Sequence, residues 1–147
     1  MASSETHRDQ LRRIVTRHKI AQRSDVYFGQ AQALADQVVG AELKKSQVRN
    51  LETLAYSTDK VSDLLDLLKK QIGRSRSGKG WRYQDLGESL LNTLAELKGD
   101  AQKIGQVVSE AYAPLPEDYE RQVHLELCRE YLKHLAAHYL YSRPEGE

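Results

Sequence analysis

Apolar residues recur along this chain at steps of three and four, and no segment alternates as a β-strand requires. Between residues 5 and 39 there is no proline and a single glycine. Leu11, Ile14, Val15, Ala31, Leu34 and Val38 fall on helical spacing, so the pattern predicts a long first helix, bent near Gly29 and ended by Gly40. Ser46 is suited to cap a second helix that carries Val48, Leu51, Leu54 and Ala55 on one face and stops near Ser57. Thr58 is the expected cap of a third. Its Val61, Leu64, Leu65, Leu68 and Ile72 make a tight apolar stripe, and Gly73 stands where a C-terminal glycine belongs.

Residues 73–80, Gly-Arg-Ser-Arg-Ser-Gly-Lys-Gly, contain no apolar side chain and predict a flexible, exposed loop that stays basic as far as residue 82. A fourth helix is expected from about Gln84, with Leu86, Leu90, Leu91, Leu94 and Leu97 on its buried face. Gly99 should interrupt it, and a weaker helical pattern resumes over residues 101–112. Pro114 and Pro116 force a break, which marks residues 113–117 as a linker. The last helix is expected over residues 117–142, with Leu125, Cys128, Leu132, Leu135 and Tyr139 in three-four spacing, ending before Arg143-Pro144. The predicted fold class is therefore all-α, a compact bundle of five to six helices in one domain over residues 1–147. The leucine stripes of the third, fourth and last helices should form its centre, and the extreme N-terminus and Pro144 to Glu147 are expected to be mobile.

Composition narrows the function classes. The 147 residues are 39% hydrophobic and 29% charged, with no apolar run near the ~18 residues of a membrane span and no signal-peptide pattern at the N-terminus, which predicts a cytoplasmic protein with no membrane partner. Cys128 is the only cysteine, so neither an internal disulfide nor a thiolate zinc cluster is available. The net charge of +1 hides an asymmetry: residues 1–82 carry 16 Lys/Arg against 9 Asp/Glu, about +7, whereas residues 83–147 carry 6 against 12, about −6. Such polarity can orient a subunit between a polyanion and a basic neighbour.

Four sites of candidate chemistry follow. Gly73-x-x-x-x-Gly78-Lys79-Gly80 is one residue short of a phosphate-binding P-loop. It lacks the final Ser/Thr and follows a predicted helix where a strand is required, so no nucleotide cofactor is expected. His134 and His138 lie one helical turn apart, with His124 further up nearly the same face. Two imidazoles can share a zinc ion, but no further ligand is evident, so no metal is expected and a contact surface with Tyr131 and Tyr141 is the better reading. Cys128 lies within an apolar stripe and the serines are caps or loop residues, so no nucleophile stands out. Fourth, residues 69–82 hold Lys69, Lys70, Arg74, Arg76, Lys79 and Arg82 and no acid, with Trp81 and Tyr83 at the end. Either the cations neutralise phosphates while the rings stack on bases, or the loop is only solvated and Trp81 folds back into the core. Lys44, Lys45 and Arg49 make a second basic patch at the start of the second helix, and the first helix adds Arg8, Arg12, Arg13, Arg17, Lys19 and Arg23.

Two stretches resemble a known family. Leu43-Lys44-Lys45-Ser46-Gln47-Val48-Arg49-Asn50-Leu51, followed by an apolar helix ending in Gly73-Arg74, resembles the central pattern of the small helical subunit of type III CRISPR effector complexes, the Csm-type small subunit and its relatives. Leu127-Cys128-Arg129-Glu130-Tyr131-Leu132, continuing through Ala136-Ala137-His138-Tyr139 to Tyr141, resembles that family's last helix. The resemblance implies a non-catalytic subunit, repeated along a filament of larger CRISPR backbone subunits and touching further copies of itself. It would contact guide RNA and target RNA, or single-stranded DNA, through basic residues. Lys45, Gln47, Arg49 and Arg74 fall on the resembling motifs, while Lys44, Lys69, Lys70, Arg76, Lys79 and Arg82 are assigned to nucleic acid by charge alone. The Arg-Ser-Gly loop with Trp81, the Pro114 to Pro116 linker and the acidic C-terminal half depart from the pattern. The alternative is a helical adaptor that uses the Tyr131, His134, His138 and Tyr141 face on a protein partner.

Overall fold

Burial of the three-four stripes sets the architecture seen in the computed structural model, which describes the backbone of residues 2–142 and the side chains of residues 6–142. The expectations for the extreme N-terminus and for Pro144 to Glu147 lie outside the described residues. The elements are α1 (Ala2–Val39), α2 (Lys45–Ser57), α3 (Val61–Arg74), a 3₁₀ turn (Gly80–Asp85), α4 (Leu86–Tyr112) and α5 (Tyr119–Ser142), with no strand among the described residues. The chain is an all-α bundle.

Several predicted boundaries move, each for a physical reason. α1 and α4 run unbroken through Gly29 and Gly99. A mid-helix glycine costs about 1 kcal/mol. Tyr27 near Gly29 and Leu97 near Gly99 are buried, and at roughly 2 kcal/mol for each such large side chain their burial outweighs that cost. α2 begins at Lys45, with Lys44 as N-cap in place of Ser46; the Lys44 N–H donates to Oε1 of Gln47 at 3.1 Å. Lys60, not Thr58, is the N-cap of α3, yet Thr58 still organises the turn. Its Oγ1 accepts the Lys60 N–H at 3.1 Å and donates to the Asp63 carboxylate at 2.6 Å. α3 also passes through Gly73 and closes at Arg74.

α5 is the axis of the bundle and packs against α1, α4, α2 and α3. Its buried residues include Leu125, Leu127, Cys128, Tyr131, Leu132 and Leu135, more than one stripe, because it has neighbours on several sides. The centre is thus α5 with α1 and α4, and α3 is more peripheral than its leucines suggest. α1 runs parallel to α5, as the hydrogen-bonded pairs Thr16–Tyr119 (2.7 Å), Ser24–His134 (2.8 Å) and Asp36–His138 (2.8 Å) show. α4 runs antiparallel to α1: Arg8 donates to the carbonyls of Ala111 and Ala113, each at 3.0 Å, and the Tyr27 hydroxyl donates to Asp100 at 2.7 Å. Arg8 thereby satisfies carbonyls at the C-terminal end of α4 that have no partner within the helix.

α2 and α3 form a hairpin over the C-terminal half of α5. Arg129 fixes it by donating to the carbonyls of Ala55 (2.6 Å) and Thr58 (3.1 Å) while pairing with Glu126. The N-terminal part of α1 has less cover. Among the described side chains, none before Ser24 is buried.

Candidate nucleic-acid interface

The two basic segments, far apart in sequence, meet at one end of the bundle. The connection between α1 and α2 lies against the connection between α3 and α4, joined by the Gly80 N–H donating to the Ala41 carbonyl at 2.8 Å and by the Lys79–Glu42 ion pair at 3.6 Å. Gly80 has a φ of +57°, and a Cβ there would stand 3.0 Å from Oγ of Ser75, so glycine suits this crossing. The non-glycine residues with left-handed backbone among the described residues, Glu42, Gln84 and Asp85, all belong to these two connections. Such backbone persists only where its surroundings hold it.

The surroundings are held by a side chain that sequence reasoning passed over. Gln71 is buried on α3. Its Oε1 accepts the Trp81 indole N–H at 2.6 Å and its Nε2 donates to the Gln47 carbonyl on α2 at 3.3 Å. Its own carbonyl accepts from Ser75 at 2.9 Å, and Ser75 in turn accepts the Trp81 backbone N–H at 3.3 Å. Trp81 is 0% exposed. Of the two readings open for it, folding back into the core is the one observed, so it does not stack on bases. A polar residue at the fourth position of an apolar stripe, ten residues before a lone tryptophan, was the available signal.

Trp81 docking also redraws the basic loop. Arg74 ends α3, residues 75–79 form the connection, and Arg82 lies in the 3₁₀ turn, where its Nε donates to the Ile72 carbonyl at 3.0 Å. Lys44, Arg49, Lys69, Lys70, Arg74, Arg76, Lys79 and Arg82 are exposed, and Lys45 and Gln47 are half-buried. Lys79 is paired with Glu42, Arg82 is tied to a carbonyl, and Gln47 accepts from its own N-cap. Lys44, Lys45, Arg49, Lys69, Lys70, Arg74 and Arg76 have no ion-pair partner among the described residues. Lys70 and Arg74, one turn apart, continue the cationic surface up α3.

The arginines of α1 behave differently. Arg8 caps α4, Arg12 pairs with Asp9 at 2.7 Å, and Arg23 lies 3.1 Å from Asp100, so these three are engaged within the bundle.

The histidine face is likewise turned inward. His124 meets the Leu94 carbonyl at 2.8 Å, His134 meets Ser24, and His138 meets Asp36 and Ser142, so the three imidazoles share no partner and converge on no common point. Tyr131 is buried against Tyr27, with ring centroids 5.9 Å apart. The contact surface expected of Tyr131, His134 and His138 is therefore consumed by α1. Tyr141, 87% exposed, is the member left outside. Cys128 is buried, and desolvation pushes its thiol up to about 12, which leaves it a poor nucleophile.

Comparison with protein-family models, curated proteins and solved structures finds no match. No helix among the described residues is long and apolar enough to cross a membrane.

Proposed function

We propose that the chain is a non-catalytic small subunit of a type III CRISPR effector complex, which contacts the backbone of guide and target nucleic acid and bridges neighbouring subunits in the cytoplasm. The observation that carries the reading is the convergence of residues 44–49 and 74–82 at one end of the bundle, where Lys44, Arg49, Arg74 and Arg76 are exposed and hold no ion pair among the described residues. With Trp81 inside the core and Tyr83 half-buried against it, that surface offers more positive charge than ring face, which suits phosphates better than bases. In an RNA-guided complex base pairing reads the sequence, so a protein subunit needs only shape and backbone contacts. The two stretches that resemble the family also touch: the Tyr139 hydroxyl of α5 donates to the Leu43 carbonyl at 2.8 Å. The inward-turned histidines and the buried thiol favour a role without chemistry of its own.

The test is fluorescence anisotropy with single-stranded RNA and with an RNA duplex, across a salt series. Replacing Lys44, Lys45, Arg74 and Arg76 with alanine removes cations that hold no internal ion pair, so the fold should survive. For single-stranded RNA the salt slope should fall by about 3 if all four meet phosphates. Unchanged binding and slope would reject the interface. A native pull-down from the host then addresses the complex. Guide RNAs with larger CRISPR proteins support the subunit, and protein partners without RNA would favour an adaptor.

A further inference from the structure

A second surface lies at the opposite end of the bundle and makes a different demand. Between the N-terminal half of α1 and the start of α5 runs an open groove of about 930 Å³. Ile14, Ile20, Tyr119 and Val123 supply its apolar lining, and Ile14 is 47% exposed. Arg13 and Arg17 stand on the α1 wall without an ion-pair partner among the described residues, whereas on the facing wall Glu126 and Glu130 are already paired with Arg129 and Lys133 of their own helix, and only Asp118, just before α5, is left. The α2–α3 hairpin stops short of this region, since Arg129 holds the C-terminal end of α2 at Ala55 and Thr58. The groove is therefore the place where the covering helical layer gives out.

We infer that this groove docks an amphipathic helix of a partner protein, apolar on its inner face and acidic along the edge beside α1. An apolar lining beside a cationic wall is the reciprocal of such a helix. A nucleic acid fits poorly, because the apolar floor offers phosphates no partner in exchange for their hydration. A second copy related by a two-fold axis would set concavity against concavity and leave a void with its dispersion contacts unmade. This surface does not rest on the nucleic-acid reading.

The test places the photo-crosslinker p-benzoyl-L-phenylalanine at position 14 of the full chain, irradiates in the native host, and sequences the crosslinked peptide. The expected product is one segment of another protein with apolar residues at three-four spacing and acidic residues along one edge. Arg13→Glu with Arg17→Glu should reduce that product at least about threefold, as reversing two exposed pairs implies, with helicity by circular dichroism unchanged. A crosslink to the same chain, to RNA, to a segment without that pattern, or to nothing would overturn the inference, as would a yield indifferent to the charge reversal.

Discussion

Replacing Gln71 with leucine tests whether one buried amide holds the basic end together. Leucine is close in volume and suits an α-helix, so sterics and propensity change little. What changes is that the Trp81 indole N–H, fully buried and 2.6 Å from Oε1, is left with no acceptor. An orphaned buried donor costs about 1–3 kcal/mol. The 3.3 Å bond to the Gln47 carbonyl adds little, and extra apolar burial offsets part of the loss, so a net destabilisation of about 2 kcal/mol is expected. In a chain of 147 residues that lowers Tm by about 4–8 °C. Thermal unfolding by circular dichroism should be run on Gln71→Leu, Trp81→Phe and the double variant. Phenylalanine has no N–H to strand, so Gln71→Leu should cost about 1 kcal/mol less in that background. Strict additivity would refute the argument, because the two side chains would then not be energetically joined.

Gly87→Ala should destabilise by about 1–3 kcal/mol in urea, since a Cβ there would lie 2.5 Å from Cγ1 of Ile72 and 2.9 Å from Cβ of Trp81. Gly99→Ala is the matched control and should stabilise by up to about 1 kcal/mol, because nothing lies within 4 Å of its added methyl. Cys128 should resist iodoacetamide at pH 8 in the folded protein and react only on unfolding; labelling at the rate of a free thiol would contradict its burial. Burial lifts Tyr131 and Cys128 to about 12, and burial with the bond to Asp100 lifts Tyr27 too. The folded state thus keeps protons that the unfolded chain releases from about pH 9 to 10. Stability from these groups is complete below that range and is lost as pH rises toward 12, by about 1.4 kcal/mol per pH unit for each group. A urea midpoint that rises over this range would refute the assignment.

The helices themselves were legible because each carries an apolar stripe longer than any breaker within it. The stripe says that a face is buried but not what covers it, which is why α3 looked central beside α4 and α5 when α1 holds that place. Gly29 and Gly99 misled for a related reason, as their local penalty is set against tertiary burial that the sequence does not display. The cations of the candidate site could be read directly, since they are exposed by their chemistry. Their meeting at one end could not, because it depends on the Gly80–Ala41 hydrogen bond and on Gln71, whose buried amide looks like an ordinary surface glutamine in sequence. His134 and His138 were legible as a pair on one turn, but Ser24 and Asp36, more than a hundred residues away, decide what they do.

The uneven cover along α1 has a consequence for motion. Its hydrogen bonds form one continuous rod, about 57 Å long at 1.5 Å per residue, yet among the described side chains burial begins only at Ser24 and continues through Tyr27, Ala31, Ala35 and Val38. Amides in its first half can exchange through local fraying that leaves the core intact, whereas those beyond Ser24 must wait for the bundle to open. Protection should climb in steps along a single unbroken helix. A partner seated against residues 13–20 would slow exchange in the first half and leave the second untouched, so the helix would record its own occupancy.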